Sequence, residues 1–466
     1  MASNGNNRET GPAYPELRQI QNRLLADMVR LCSIAHPHYR DLFGRLGLEP
    51  GDIETVEDLR KLPLLHKTEF VQDPESFRLA LDGMEGLGVE ETTIADIIYT
   101  SGSTGRPTPF YDTVHDRFAR IDHIGRGTEI VGVGESDIVM NLFPLTSAPH
   151  QGFLSATWGA AAVGAQLLSG LTGRRYAGFD VHRRLDDAVT MIERQHVTVL
   201  WGITSFVRRV VIRAQELGCD YRSVRLAMVM GEPCPAGMRD DMRSRLESIG
   251  AQAPVISNGY GFTEMQAPTM ECVEGGGRHV AAPEQVFFEV VDPETEGPLP
   301  DGDPGMLVMS HLNRRGTVLL RYRVGDITAI DHGTCPHCGR PGPRFIGDPY
   351  RADSFVKIKG TLVNRAVLDE CLSELLSVDG VSEYQVVVGR EDAADPFSGD
   401  RLSLRVACTP QARVAVADSA PAMVVRAVEV TPEIEYLPAD GFDQAASLYK
   451  FRRFIDERNA NGENSA

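Results

Sequence analysis

From Ile20 the apolar positions Ile20, Leu24, Met28 and Leu31 recur at helical spacing, and Pro37 ends the pattern. Strand-like and helix-like runs then alternate. Asp96-Ile97-Ile98-Tyr99 leads into a Gly/Ser/Thr loop, and Ile138 to Phe143 reads as a strand ending at Pro144. Leu185, Ala188, Val189 and Ile192 share one helical face. Val197 to Leu200 reads as a strand followed by a helix around Val207 to Leu217. Leu226 to Met230 and Val255-Ile256 are further strands, closed by Gly-Glu-Pro and Asn-Gly-Tyr-Gly. Strand, loop and helix in repetition predict α/β layers on a mostly parallel sheet. After residue 285 the pattern shortens: Val286 to Val291 precedes the turn-rich 300–305, predicting a β-rich lobe that runs to Ile346. Beyond Asp348 a smaller α+β unit follows, with Val356-Lys357-Ile358, a helix near Ala366 to Leu376, a strand at Tyr384 to Val388 and an acidic loop at 391–400. The expected division is therefore a large domain over 1–348 and a small one over 349–466.

Composition narrows the function classes. The 466 residues are 42% hydrophobic and 24% charged, which is ordinary for a globular chain. Acidic residues exceed basic ones by 65 to 47, giving a net charge of -18. Such a surface repels phosphate backbones and anionic lipid, so nucleic-acid and membrane-surface roles are disfavoured. Ile138 to Gly173 lacks charge altogether, but its Asn, Gln, Pro and many Gly, Ser and Thr fit a buried strand, turn and helix better than a membrane span. The polar first residues carry no secretory h-region, and eight scattered cysteines suit a reduced, cytoplasmic protein.

Between Thr100 and Gly105 the first loop packs four hydroxyls and two glycines into six positions. Glycines let backbone amides close on a ligand and hydroxyls donate to phosphate oxygens, so a triphosphate is the natural guest. No Gly-Lys-Ser/Thr follows, which excludes a Walker A loop. No Gly-x-Gly-x-x-Gly opens the first strand-helix unit, which disfavours a dinucleotide dehydrogenase.

Four segments together resemble the adenylate-forming (acyl/aryl-CoA ligase) superfamily. Thr100 to Thr108 resembles its phosphate loop, Tyr260-Gly261-Phe262-Thr263-Glu264 its Tyr-Gly-x-Thr-Glu, and Arg321 to Asp326 its Tyr-x-x-Gly-Asp. Arg351-Ala352-Asp353 with Lys357 to Gly360 resembles its hinge. The ending Pro-Thr-Pro-Phe-Tyr-Asp-Thr, the His-Pro-His-Tyr-Arg helix, 62–67 and 338–347 are similar to the phenylacetate-CoA ligase branch.

The resemblance implies a large adenylate-forming domain and a small mobile C-terminal domain. It also implies a two-step reaction. A carboxylate attacks the α-phosphorus of ATP, and coenzyme A then displaces AMP. Ser101, Gly102, Ser103, Thr104 and Gly105 would hold the outer phosphates. Thr263 would donate to the α-phosphate, and Glu264 would hold Mg²⁺. Asp326 would accept the ribose hydroxyls. Gly231, Glu232 and Pro233 would border the adenine, with Asn258, Gly259, Tyr260 and Gly261 joining the nucleotide-binding set. Lys450 would bridge the substrate carboxylate and the α-phosphate; the family usually has Gly before that Lys, and here it is Tyr449. Asp353 would be the hinge. Because ATP and CoA are anions, Arg106, Arg321, Arg344, Arg351 and Lys450 are expected to make the site locally positive.

An aromatic acid is expected beside Phe143, His150, Gln151, Gly152, Trp201, Gly202, Ile203, Met230, Tyr260 and Met265. Aromatic and small residues mixed together suit a flat ring, and His150 and Gln151 could recognise a ring amine or hydroxyl. Cys335-Pro336-His337-Cys338 forms a knuckle turn, and Cys272 with His279 supplies two more ligands, predicting a structural Cys₃His zinc site. His337 is the rival ligand, and a redox Cys-x-x-Cys fits less well because no helix opens there. Transfer of the acyl-AMP to an amine, a hydroxyl or a second substrate molecule is the alternative to CoA. A non-catalytic zinc-stabilised binding protein is a third reading. Homodimers are frequent in the family.

Overall fold

The computed structural model describes residues 14–81, 84–100, 107–144, 151–172, 183–392, 395, 398–428, 430–442 and 450–459. By its contacts the chain forms two units. One comprises Met1–Ser136, Ser147–Ala165 and Ser257–Pro349; the other comprises Asp137–Thr146, Gln166–Ile256 and Tyr350–Ala466.

In the first unit, helix Tyr14–Ala35 is followed at once by helix Pro37–Leu46. Pro37 ends one helix but also starts the next, because its fixed φ and missing N–H suit a first helical turn. His36 caps that second helix. Its Nδ1 accepts from the Tyr39 N–H at 3.2 Å and its Nε2–H donates to Val318 O at 3.1 Å, a pattern that only the neutral ring satisfies. The β-rich lobe is a six-stranded sheet in the order Val286–Val291, Gly305–His311, Tyr322–Asp331, Arg344–Arg351, Arg278–His279, Met270–Glu271. Val286–Val291 and Gly305–His311 are buried along their whole length. They pack in a core with Phe70, Phe77, Phe110, Tyr322 and Phe345.

The second unit holds the five-stranded sheet, ordered Gln166–Ser169, Ile138–Asn141, Val199–Ile203, Leu226–Met230, Val255–Gly259, except for Ser257 to Gly259, which belong to the first unit. Val199–Ile203 and Leu226–Met230 are fully buried and pair in parallel, as continuous apolar runs in a covered sheet should. The charge-free stretch resolves into strand Ile138–Asn141, helix Gln151–Ala162 and a second strand, Gln166–Ser169, which the sequence pattern did not separate. The strand expected at 197–200 begins two residues later, at Val199. Among the described residues no helix is long and apolar enough to cross a membrane. A four-stranded sheet completes this unit in the order Glu433–Leu437, Asp400–Cys408, Val381–Arg390, Phe454–Asp456. The helix Ala412–Val428 and the last three elements of the chain have no counterpart in the sequence-based expectation.

Candidate active site

In the first unit, strands Ile94–Tyr99 and Pro109–Thr113 run antiparallel, with Tyr99 opposite Pro109. Thr100 closes the hairpin: its N–H donates to Thr108 O at 3.1 Å, and its Oγ1 accepts from Thr108 N–H at 3.0 Å. Ser101, Gly102, Ser103, Thr104, Gly105 and Arg106, which this hairpin end would present, lie outside the described residues, as does His150.

The motif at 260–264 and the motif at 321–326 meet. Tyr260 Oη donates to Asp326 Oδ2 at 2.6 Å, and Tyr322 Oη donates to Glu264 Oε1 at 2.8 Å. Both carboxylates are buried, so each is held by a phenol in place of water. The Thr263–Met265 turn is fixed from three further directions. His311 Nε2–H donates to Glu264 O at 2.9 Å while its Nδ1 accepts from Leu319 N–H at 3.0 Å. Gln266 sits at φ 71° and its Nε2 donates back to Thr263 O at 2.6 Å. The buried Arg120 donates to Gln266 Oε1 at 2.8 Å, and Gln151 Nε2 donates to Gln266 O. A left-handed glutamine costs energy that this bonding offsets. Sequence reasoning missed Tyr322, His311, Gln266 and Arg120. Only Tyr322 lay inside a recognised motif.

The other predicted residues of this unit fall into place as follows. Asn258 N–H donates to Glu271 Oε2 at 2.9 Å, and the buried Asn258 Oδ1 has no partner among the described residues. A Cβ on Gly261 would lie 3.1 Å from Pro268 Cα, which explains the glycine. Gly152 is in the first turn of helix Gln151–Ala162. Met265 is buried in the phenylalanine-rich core. Two of the expected positive charges are engaged. Arg344 donates to Asp331 at 2.6 Å and to Gly333 O at 2.9 Å. Arg321 is buried, donates to Leu62 O at 2.7 Å and lies 3.5 Å from Glu289.

The four predicted metal ligands converge in this unit. The ligand atoms of Cys272, His279, Cys335 and Cys338 all lie within 4.8 Å of one another. His279 comes from the two-residue strand paired with Arg344–Arg351, whereas the rival His337 is exposed. Cys338 Sγ is 3.4 Å from His279 Nε2, and Gly276 N–H donates to Cys272 Sγ at 3.1 Å. A Cβ on Gly276 would stand 2.3 Å from Cys335 Sγ, so only glycine fits there. Burial pushes the Cys272 thiol up to about 12. Burial acts on Cys335 in the same sense, but amides of Cys338 and His337 outweigh it and hold that thiol below its ordinary value. Three sulfurs and one imidazole in a closed, mostly buried cluster match the donor set of a tetrahedral structural site.

In the second unit, strand Leu226–Met230 ends at Gly231, whose φ of 83° suits glycine alone. Lys450 lies against it: a Cβ built on Gly231 would be 3.9 Å from Lys450 Cε and 4.0 Å from Nζ. Glu232 is half-buried, and its carboxylate accepts from Ser205 N–H and from Phe451 N–H, both at 2.9 Å. Pro233 is exposed. Phe143 and Trp201 are buried, and Trp201 Nε1 has no partner among the described residues. Gly202 is tight, since a Cβ would sit 2.9 Å from Leu142 Cβ and 3.0 Å from Val207 Cγ2. Ile203 and Met230 end the neighbouring strands and are buried. Arg351 and Asp353 are exposed and 3.5 Å apart.

The chain as a whole is similar to known proteins. A family model described as AMP-binding enzyme matches residues 50–313, more than half of the chain. Over 385 residues the chain is 27% identical to a phenylacetate-coenzyme A ligase of Thermus thermophilus, covering 82% of this chain and 80% of the relative. It is 25% identical over 403 residues to a phenylacetate-coenzyme A ligase of Aromatoleum evansii, covering 86% and 83%. Among solved structures, that of 2-hydroxyisobutyryl-CoA ligase in the postadenylation state matches with a TM-score of 0.78 at 22% identity, over 99% of this chain and 94% of that one. That last match is a likeness of fold. With the motif residues gathered as above, the chain belongs to the AMP-binding enzyme family.

Proposed function

We propose that this protein is an AMP-forming ligase that activates an aromatic carboxylic acid with ATP and transfers the acyl group to coenzyme A. The observation that carries the reading is the pairing of Tyr260 with Asp326 and of Tyr322 with Glu264, which joins two motifs far apart in sequence. Phosphorus chemistry of this type needs positioning and charge stabilisation rather than a protein nucleophile. In the first unit, Thr263 donates to the α-phosphate and Asp326 accepts the ribose diol. Asn258 to Gly261 lie along the nucleotide, and Ser101 to Gly105 close over the outer phosphates. Glu264 would hold Mg²⁺, a hard cation suited to carboxylate oxygen that would supply charge neutralisation there. In the second unit, Lys450 stabilises the negative charge that grows as the acid attacks. Gly231 to Pro233 border the adenine, and Phe143, Trp201 and Gly202 shape the aryl pocket. Arg351 adds positive charge, and Asp353 is the hinge of a C-terminal domain that starts at 349.

Cys272, His279, Cys335 and Cys338 are proposed to hold one structural zinc ion. Their fit rests on the closed donor set and on Gly276, which brings the backbone against the sulfurs.

The test is pyrophosphate release with phenylacetate, benzoate, 2-aminobenzoate and 4-hydroxyphenylacetate, with and without CoA, read by mass spectrometry. Release with an acyl-CoA product is expected. Release without an adduct selects transfer to an amine, a hydroxyl or a second substrate molecule. No release with any acid overturns the ligase reading. If amino- and hydroxy-substituted acids react no better than their parents, His150 and Gln151 do not read ring substituents. For the metal, elemental analysis of protein purified without added zinc should give close to one equivalent per chain, and well under one overturns the assignment.

A further inference from the structure

Glu232 was expected to face the nucleotide, yet its carboxylate is occupied on both sides by main chain. One oxygen accepts from the Ser205 amide, at the second position of helix Thr204–Leu217. There the helix leaves unpaired N–H groups and favours negative charge. The other oxygen accepts from the Phe451 amide, next to Lys450. The Glu232 carbonyl also accepts from Thr204 Oγ1 at 3.1 Å, so the residue is anchored to the helix twice before it reaches Phe451.

The chain on the far side of Lys450 is fixed as firmly. Arg452 O accepts from Gln385 Nε2 at 2.9 Å, and Arg453 O accepts from Val386 N–H at 2.7 Å. The buried Arg453 guanidinium grips Glu383 with two bonds of 3.0 and 2.9 Å. Those contacts belong to the four-stranded sheet, because Phe454–Asp456 continues as its parallel edge strand. The Glu232 bond is different in kind. It is the bond by which the segment carrying Lys450 is tied to the end of strand Leu226–Met230, where that lysine meets Gly231.

We propose that Glu232 is a positioning residue for Lys450, holding the lysine beside Gly231 for acyl-adenylate formation through the amide of Phe451. The inference rests on the reading of Lys450 as the lysine of the first half-reaction. A carboxylate serves better than a neutral side chain because both donors are amides, and charge strengthens each bond. Glutamine keeps one carbonyl acceptor and loses the other, so it should retain part of the effect; alanine keeps neither.

The test separates the half-reactions in Glu232→Ala, Glu232→Gln, Lys450→Ala and the double variant Glu232→Ala/Lys450→Ala. Acyl-adenylate formation is read as ATP–pyrophosphate exchange with the best acid of the four named above. Thioester formation is read from synthetic acyl-AMP and CoA. Thermal unfolding checks that each variant is folded. Glu232→Ala should lower kcat for exchange by roughly tenfold to a hundredfold, with glutamine intermediate. The KM for ATP and the rate of thioester formation should stay within about threefold. In the Lys450→Ala background the Glu232 change should cost nothing further. A raised KM for ATP with kcat intact would mean that Glu232 serves nucleotide binding alone, and would overturn the proposal. So would equal loss in both half-reactions, or an additive loss in the double variant. If Lys450→Ala itself spares exchange, the reading of Lys450 fails. If Lys450→Ala abolishes exchange and Glu232→Ala leaves kcat for exchange unchanged, only the positioning role fails.

Discussion

Two glutamates follow the ends of neighbouring strands and are held in opposite ways. Glu264 follows Val255–Gly259 and is buried, with its carboxylate taken by a phenol and its carbonyl by an imidazole from distant segments. Glu232 follows Leu226–Met230, is half-buried, and is held by two backbone amides. The first carboxylate depends on which side chains lie elsewhere in the chain; the second is set by where the backbone runs, with the Thr204 hydroxyl adding a bond to the Glu232 carbonyl. A site held by side chains should break when one of them is changed. A site held by amides should yield only to a change in the glutamate itself or in the path of the chain.

The largest test of this contrast concerns what the amide-held glutamate serves. Lys450→Ala should lower acyl-adenylate formation by roughly 10²–10³-fold while sparing thioester formation from supplied acyl-AMP. Equal loss of both steps would remove the reason for the second cluster. Next, Glu264→Gln should cost roughly 10²-fold in exchange and shift the Mg²⁺ concentration giving half-maximal rate upward, because charge is what the metal requires. If glutamine is tolerated equally at 264 and 232, the two sites do not differ as described. Replacing the cysteine pair, Cys335→Ser with Cys338→Ser, should abolish bound zinc and lower the melting temperature by several degrees. An unchanged melting temperature would mean that the corner contributes nothing to folding. Tyr322→Phe removes one hydrogen bond to a charged group and should cost about 1.5–3 kcal/mol in denaturant unfolding, with a smaller loss of activity than Glu264→Gln.

The last test concerns the scaffold. Burial holds His36 down from 6.5 to about 3, and the nearby His38 pushes in the same sense. The unfolded chain therefore binds the proton that the folded chain refuses. Stability contributed by the neutral ring is complete above pH 6.5 and falls as pH drops toward about 3, by up to about 1.4 kcal/mol per unit. His36→Asn keeps a capping side chain and should flatten the slope of melting temperature against pH below 6.5; an unchanged slope would assign the acid sensitivity elsewhere.

Much of this architecture was readable in advance. The buried parallel strands announced themselves as unbroken apolar runs, and Leu226–Met230 was located to the residue. Cys335 and Cys338 needed only a second pair at suitable spacing, which Cys272 and His279 supplied. Other features left no local mark. Tyr322 carried a motif, but nothing in the motif says that its hydroxyl meets Glu264 until the sheet brings the two together. Gln266 adopts φ 71° without being glycine, because Arg120 and Gln151 reach it from helices far back in the chain. Glu232 was placed at the adenine with Gly231 and Pro233 by family resemblance; that its carboxylate is held by two amides was not legible, because every residue possesses an amide and no sequence pattern reveals which one is met.

The cysteine corner has a consequence beyond holding its own loop. Glu271, the residue before Cys272, accepts the Ser257 hydroxyl on its carbonyl at 2.9 Å and the Asn258 amide on its carboxylate at 2.9 Å. A single peptide unit thus separates the sulfur cluster from the strand that leads into Tyr260. If the proposed ion sits there, losing it would loosen Glu271 and, through Ser257 and Asn258, the strand that leads into Tyr260.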